Sequence, residues 1–177
     1  MEEKVNVWKA NLTNGLILAS AGIVFSLILY FFDLTFSKGI GFIYIPIQFG
    51  LLYFLLKSYR DNFMHGQITY GQSVGAGVVI YVYVAVLMAI YMYILWAIID
   101  PGLAKKSLAI TEEAMVKKGA PQAAIDTAMS FTAKLMKPAI MSIFSIFSTL
   151  FGGVIYSLLA SIFIKREGNP LIDTPVN

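Results

Sequence analysis

The chain lacks cysteine, has a single histidine and carries few charges. Only 13% of its 177 residues are Asp, Glu, Lys or Arg, against about 25% in soluble domains. Without cysteine there is no disulfide framework, no thiol nucleophile and no thiolate metal site. His65 alone cannot form a histidine metal cluster. The low charge, together with 58% hydrophobic residues, excludes a disordered chain and an ordinary soluble enzyme.

Sequence motifs that carry chemistry are missing as well. There is no Gly-x-Ser-x-Gly, no His-Glu-x-x-His and no phosphate-binding glycine loop. Charged residues such as Asp33, Lys57 and Asp100 stand at the ends of apolar runs, which counts against proton-coupled transport and an aspartyl intramembrane protease. Basic residues are not interleaved with aromatic ones in a soluble segment, so nucleic acid is not expected as a partner. We therefore expect no enzyme, no catalytic residue, and neither a metal nor a cofactor site.

What the chain does contain is four long apolar runs. They cover residues 15–32, 39–56, 73–99 and 139–164. At 1.5 Å per residue the first reaches about 27 Å, close to the roughly 30 Å hydrocarbon core of a bilayer. Pro46 interrupts the second run and is expected to kink it or to start a turn. The predicted fold is all-α, a polytopic membrane protein of four transmembrane helices in one membrane domain over residues 1–177.

The segment 102–137, between the third and fourth runs, is the only one of soluble character. Its pattern predicts two amphipathic helices, with Gly119 ending the first and Pro121 opening the second. Charged residues share one side of the first helix, namely Lys105, Lys106, Glu112, Glu113 and Lys117. We expect an extramembrane helical hairpin, with these charged residues as a possible surface for a protein partner.

Small and hydroxyl-bearing residues recur every three or four positions within the runs. They are Gly15, Ala19, Gly22 and Ser26 in the first run, Gly71 and Gly75 at the start of the third, and Ser142, Ser145, Thr149 and Gly152 in the fourth. Such stripes let membrane helices approach closely and hydrogen-bond to one another. We expect them to pack the helices of a four-helix bundle. The alternative is a polar path or a docking face for another subunit.

Two tyrosines deep in the third run need hydrogen-bond partners. These are Tyr81 and Tyr83, and the serines of the fourth run are the candidate partners. A quinone or lipid site at these side chains is a further alternative.

Positively charged residues give a weak prediction of orientation. Lys57 and Arg60 follow the second run, Lys38 stands in the link before it, and Lys165 and Arg166 follow the fourth. Because lysine and arginine accumulate in short cytoplasmic loops, we expect both termini in the cytoplasm. The hairpin would then lie on the opposite side of the membrane.

The stretch Thr69-Tyr70-Gly71-Gln72, directly before the third run, resembles the bacterial four-span membrane family called domain of unknown function 4199. The Asp100-Pro101 break, the Gly-x-Pro turn of the hairpin and the ending Lys165-Arg166-Glu167 are also similar to that family. The resemblance covers about residues 8–167. It implies a Gram-negative inner-membrane protein and supplies no activity, substrate or catalytic residue.

Two functional classes remain open. The first is a non-catalytic accessory or partner-binding membrane subunit, which contacts lipids and other membrane subunits, or copies of itself, through the hairpin and the small-residue faces. The second is a small transporter or a lipid- or quinone-handling protein with an interior lined by tyrosine and serine. The lack of charge within the apolar runs favours the first class.

Overall fold

The structure is a computed structural model that describes residues 5–37 and 39–167. The terminal segments 1–4 and 168–177 lie outside the described residues, as does Lys38, on which the orientation prediction partly rests. Six α-helices follow one another: α1 (Val7–Phe31), α2 (Gly41–Phe63), α3 (Tyr70–Ile94), α4 (Gly102–Lys117), α5 (Gln122–Leu135) and α6 (Pro138–Ile164). A π-helical turn over Leu95–Ile99 extends α3. The described part of the chain contains no β-strand and is all-α, as predicted.

Four of these helices are long and apolar enough to cross a membrane. They are α1, α2, α6, and α3 together with its π-helical turn. This confirms the prediction of a membrane protein with four spans. The third span is the most buried of the four, because 39% of its most apolar window is buried, against 17–22% in the other three.

The helices begin and end at positions that differ from the apolar runs. α1 starts at Val7 because the side chain of Asn6 accepts hydrogen bonds from the backbone N–H groups of Trp8 and Lys9. The polar residues Asn11 and Asn14 therefore lie inside α1, where both are buried and bonded to one another at 3.0 Å. Hydropathy alone could not include them in the helix.

The fold consists of two compact units. The first contains residues 1–85 and 149–177, and the second contains residues 86–148. In the first unit α1 packs along α2, where Phe25 and Tyr44 stack with ring centroids 4.8 Å apart. The first half of α3 supplies much of the core of this unit, including Ala76 and Ile80, which are fully buried.

Three glycines allow the helices of the first unit to approach closely. A Cβ atom added at Gly15 would lie 2.5 Å from the Cβ of Tyr83, and one added at Gly77 would lie 2.7 Å from the Cβ of Ser157. Gly153 lies in the same way against the ring of Tyr81. No room for a side chain exists at these positions, so they are the sites of closest helix contact among the described glycines.

Some predicted packing residues lie elsewhere. Gly71 and Gly75 are exposed, and a Cβ atom added at either would meet nothing within 4 Å. Gly77 takes the predicted role in α3, because its position on the helix faces α6. Gly152 likewise has open space beside it, and the neighbouring Gly153 makes the contact. Among the described glycines of α3 and α6, the close helix contacts are therefore made by Gly77 and Gly153.

The second unit contains α4 and α5, which contact one another and are joined by a turn over residues 118–121. Gly119 has a φ of 73°, and its N–H donates to the carbonyl of Val116 at 2.9 Å, which ends α4 as predicted. Pro121 stands at the N-cap of α5. Leu103 and Ile125 are buried, and α4 also contacts the π-helical turn.

Candidate functional site

The third span begins with a capping box. The backbone N–H of Thr69 donates to the side-chain oxygen of Gln72 at 3.0 Å, and the N–H of Gln72 donates to the hydroxyl of Thr69 at 3.3 Å. This reciprocal pair satisfies two backbone donors that would otherwise lack partners at a helix end. The motif Thr69-Tyr70-Gly71-Gln72, on which the family resemblance rests, therefore has a structural role, because it starts α3.

The link between α2 and α3 is tied to the end of α6. The N–H of Ile68 donates to the carbonyl of Arg166 at 2.9 Å, and the N–H of Arg166 donates to the carbonyl of Ile68 at 3.0 Å. Arg60 adds a bond from Nη1 to the carbonyl of Ile164 at 3.2 Å. His65 and Gly66 both have positive φ, 50° and 78°, which turns the chain back toward α3. The backbone of Arg166 is thus fixed beside the link.

A cavity of about 990 Å³ lies in the first unit, where the start of α1 meets the end of α2 and the start of α3. It is lined by Val5, Val7, Tyr59, Phe63, Met64, His65, Gln72, Gly75, Ala76 and Val79. From Gln72 to Val79 the wall extends about 10 Å along α3. The volume lies at the upper end of the roughly 300–1,000 Å³ typical of small-molecule sites. We call it the apolar cavity.

A second cavity of about 520 Å³ adjoins it on the side of the link. It is lined by Met64, His65, Gln67, Ile68, Thr69, Gln72, Arg166 and Glu167. Met64, His65 and Gln72 line both cavities, so the two spaces meet at these side chains. We call the second space the polar cavity. Together they offer a ligand one apolar compartment and one compartment with charged and hydrogen-bonding groups.

Gln72 has a double role at the junction of the cavities. Its side-chain oxygen is engaged by the N–H of Thr69 within the capping box. Its side-chain NH₂ group carries two hydrogen-bond donors, and the capping box uses neither of them. The start of α3 and the junction of the cavities are thus determined by the same side chain.

The remaining predicted packing residues are spread along α1 and α6. Gly15, Ala19 and Gly22 are buried in α1, and Ser26 is partly buried. In α6, Ser142 is buried, and Ser145, Thr149 and Gly152 are partly buried. The hydroxyl of Ser142 donates to the carbonyl of Pro138, and that of Ser145 donates to the carbonyl of Ser142. These hydroxyls therefore bond within their own helix.

One of the hydrogen bonds between α3 and α6 joins two serines that sequence reasoning missed. Ser161 Oγ donates to Ser73 Oγ at 2.8 Å, and both residues are fully buried. Ser157 is also buried, but its hydroxyl donates to the carbonyl of Gly153 in its own helix. The available signal was the spacing of Ser157, Ala160 and Ser161, which share one side of α6.

The two deep tyrosines do not bond to the serines of the fourth span. Tyr83 donates its hydroxyl to the backbone carbonyl of Trp8 at 3.1 Å. Tyr81 stacks with Tyr156 at a centroid distance of 6.1 Å, and its hydroxyl has no hydrogen-bond partner of ordinary length among the described residues. These side chains form part of the core of the first unit.

The predicted partner surface is exposed on α4. Its members are Lys105, Lys106, Glu112, Glu113 and Lys117, and all five are solvent-exposed. Lys117 Nζ lies 2.6 Å from Glu113 Oε1, one turn away on the helix. The hydrogen bond and charge of Lys117 hold the pKa of the Glu113 carboxyl below its ordinary value.

Comparison with known protein families gives one informative result. A family profile described as "Protein of unknown function (DUF4199)" matches residues 13–166. The match includes the first span from residue 13 onward, the other three spans and the capping box at the start of α3. It also includes the lining of both cavities, except for Val5 and Val7 of the apolar cavity and Glu167 of the polar cavity. No curated protein and no solved structure matches the chain. The chain belongs to the DUF4199 family of membrane-type proteins of unknown function.

Proposed function

We propose that the protein is a lipid-handling membrane protein, which holds the hydrocarbon part of one lipid in the apolar cavity. The observation that carries this proposal is the size and lining of that cavity. Its α3 wall is formed by Gly75, Ala76 and Val79, and its opposite walls include Val7 and Phe63. A hydrocarbon chain is the ligand that such walls complement.

A ligand that fills a cavity of this size supplies its lining atoms with dispersion contacts. Water is a poor substitute along the apolar walls, because it needs two to four polar partners. A lipid chain provides the contacts without a desolvation penalty, since it leaves surroundings that are equally apolar.

The cavity lies at the level expected for lipid head groups. Lys57 and Arg60 stand within two turns of the end of α2, which lines the cavity, and Lys165 follows the end of α6. Basic residues at span ends mark the boundary between hydrocarbon and water. A lipid could therefore enter from its own leaflet, with the chain along α3 and the head near the link between α2 and α3.

Filling the apolar cavity tests this proposal. Gly75→Leu adds a side chain where a Cβ atom meets nothing within 4 Å, so the variant should fold while its leucine occupies the cavity. Gly71→Leu is the matched control, because Gly71 has equal open space one turn earlier and does not line the cavity. The measurement is the lipid that stays bound to each purified protein in mild detergent, counted by native mass spectrometry.

The expected result is one retained lipid in the parent and in Gly71→Leu, and loss of that lipid in Gly75→Leu. Circular dichroism checks that each variant keeps its helices. Equal retention in all three proteins, or no retained lipid in any, would overturn the proposal.

A second function, that of an accessory subunit, is favoured by apolar exposure on α4 and α5. Val116 is 57% exposed and Phe131 is 63% exposed, beside the charged surface of α4. We propose that another membrane subunit covers this surface. Replacing Glu112 and Glu113 by lysine should leave the protein folded and reduce the amount of a co-purifying subunit. An unchanged set of co-purifying proteins would contradict this second proposal.

The location of the protein is also a proposal. We infer the bacterial inner membrane from the resemblance of the motif at residues 69–72, and cytoplasmic termini from Lys57 and Arg60 in a short link. The lipid head beside Arg166 would then belong to the cytoplasmic leaflet.

A further inference from the structure

We propose that the polar cavity is a head-group site for a zwitterionic phospholipid head, with Arg166 facing its phosphate and Glu167 facing its ammonium group. This inference rests on the proposed function, because the lipid chain would occupy the adjoining apolar cavity. The head-group site would determine which class of lipid the protein binds. Phosphoethanolamine is the head group of this chemistry.

The charges that line the polar cavity are one cation and one anion. Arg166 and Glu167 both line it, and neither forms an ion pair with another described residue. The nearby guanidinium of Arg60 is already engaged, since its Nε lies 2.8 Å from Asp61 Oδ1 and its Nη1 bonds to the carbonyl of Ile164. Arg166 and Glu167 are therefore a cation and an anion without a close ion-pair partner, although the charge of Arg166 also acts on Asp61.

The position of this pair is fixed by the backbone. Both hydrogen bonds between Arg166 and Ile68 are main-chain bonds, so they hold the residue beside the link whatever its side chain does. Ile68 itself is buried and lines the same cavity. A substitution of the Arg166 or Glu167 side chain should consequently alter the charge of the cavity and leave the fold intact.

The chemistry of the lining residues complements the two parts of the head. A guanidinium binds the two non-bridging oxygens of a phosphodiester through two parallel N–H donors, and the NH₂ group of Gln72 can donate to one of the same oxygens. A carboxylate binds an ammonium group through a charge-assisted hydrogen bond. An anionic head without an ammonium group would bring its negative charge beside Glu167, and this repulsion provides selectivity.

The test is a competition between two lipids with identical acyl chains. The full-length protein in mild detergent is mixed with equal amounts of phosphatidylethanolamine and phosphatidylglycerol, and native mass spectrometry measures the ratio of the two bound forms. The parent should favour phosphatidylethanolamine by about tenfold, the ratio that a single repulsive contact can produce. Glu167→Gln should lower the ratio to one or less, because the remaining cation favours the anionic lipid.

Two further variants complete the design. Arg166→Gln should bind both lipids more weakly, whereas Lys105→Gln, an exposed charge on α4, should bind like the parent. A parent that takes both lipids equally, or a ratio that Glu167→Gln does not change, would overturn the head-group site. If Gly75→Leu still abolished binding in that case, the proposed function would stand. If the parent retained no lipid at all, both proposals would fail.

Discussion

Gly152 and Gly153 are chemically identical neighbours with opposite surroundings. A Cβ atom added at Gly153 would lie 2.5 Å from the Cβ of Tyr81, whereas one added at Gly152 would meet nothing within 4 Å. Gly153→Ala should therefore lower the free energy of unfolding by about 1–3 kcal/mol, the usual effect of overpacking. Gly152→Ala should be neutral or slightly stabilising, because alanine is the better helix former. Thermal unfolding in detergent compares them, and equal melting temperatures would contradict the assigned contact.

The difference between these two glycines could not be predicted from the sequence. Successive residues of a helix point about 100° apart, so both positions fit a stripe of small residues within the uncertainty of the pattern. What separates them is Tyr81 on another helix, far away in the sequence. The same holds for Gly75 and Gly77, of which only Gly77 faces Ser157. Spacing identifies a helix that can pack closely, and the partner side chain decides which face does so.

The capping box at the start of α3 is expected to stabilise that helix. Thr69→Ala removes the hydroxyl that accepts the N–H of Gln72, and it should destabilise the protein by about 1 kcal/mol. Thr127→Ala in α5 is the control, because that hydroxyl only donates to the carbonyl of Ala123 in its own helix. Denaturation of both variants in detergent measures the difference. A Thr69→Ala variant as stable as Thr127→Ala would show that the box does not stabilise the span.

The pair formed by Glu113 and Lys117 gives a prediction about the titration of Glu113 on α4. Its contact with Lys117 lowers the pKa of Glu113 below the ordinary 4.5, so the folded helix favours the ionised carboxyl. The contribution of the pair is complete above pH 4.5 and is lost as the pH falls through the lowered pKa. Carbon-detected NMR titration should find the Glu113 pKa below 4.5 in the parent and raised in Lys117→Gln. The same pKa in both proteins would exclude the pair as its cause.

The four spans themselves were predictable from the sequence, and their ends were not. Long apolar runs leave no other structure for a chain of this composition, because a bilayer demands that backbone hydrogen bonds be made within the segment. The start of α1 depends instead on Asn6 and on the burial of Asn11 and Asn14. A hydropathy pattern places these asparagines in the polar segment before the first apolar run. The cavities were equally hidden, since residues from α1, α2, α3 and the end of α6 line them.

For the molecule as a whole, orientation in the membrane determines which leaflet supplies the lipid. The natural chain has no cysteine, so a single introduced cysteine is the only label site. A maleimide that cannot cross the membrane should label a cysteine at Ala120, in the turn between α4 and α5, from outside the cell. It should miss one at Gln67, in the exposed link before α3. The reverse pattern would invert the orientation and assign the cavity to the outer leaflet.

Occupation of the apolar cavity by lipid in an intact membrane is the central claim, and photo-crosslinking tests it most directly. A benzoylphenylalanine replaces Phe63, which lines the cavity, or Phe54, which is exposed on the same helix and does not line it. Both should yield lipid adducts on irradiation. Adding Gly75→Leu should abolish most of the adduct at Phe63 and leave the adduct at Phe54 unchanged, while Gly71→Leu should affect neither. An adduct at Phe63 that persists undiminished with Gly75→Leu would contradict a lipid in the cavity.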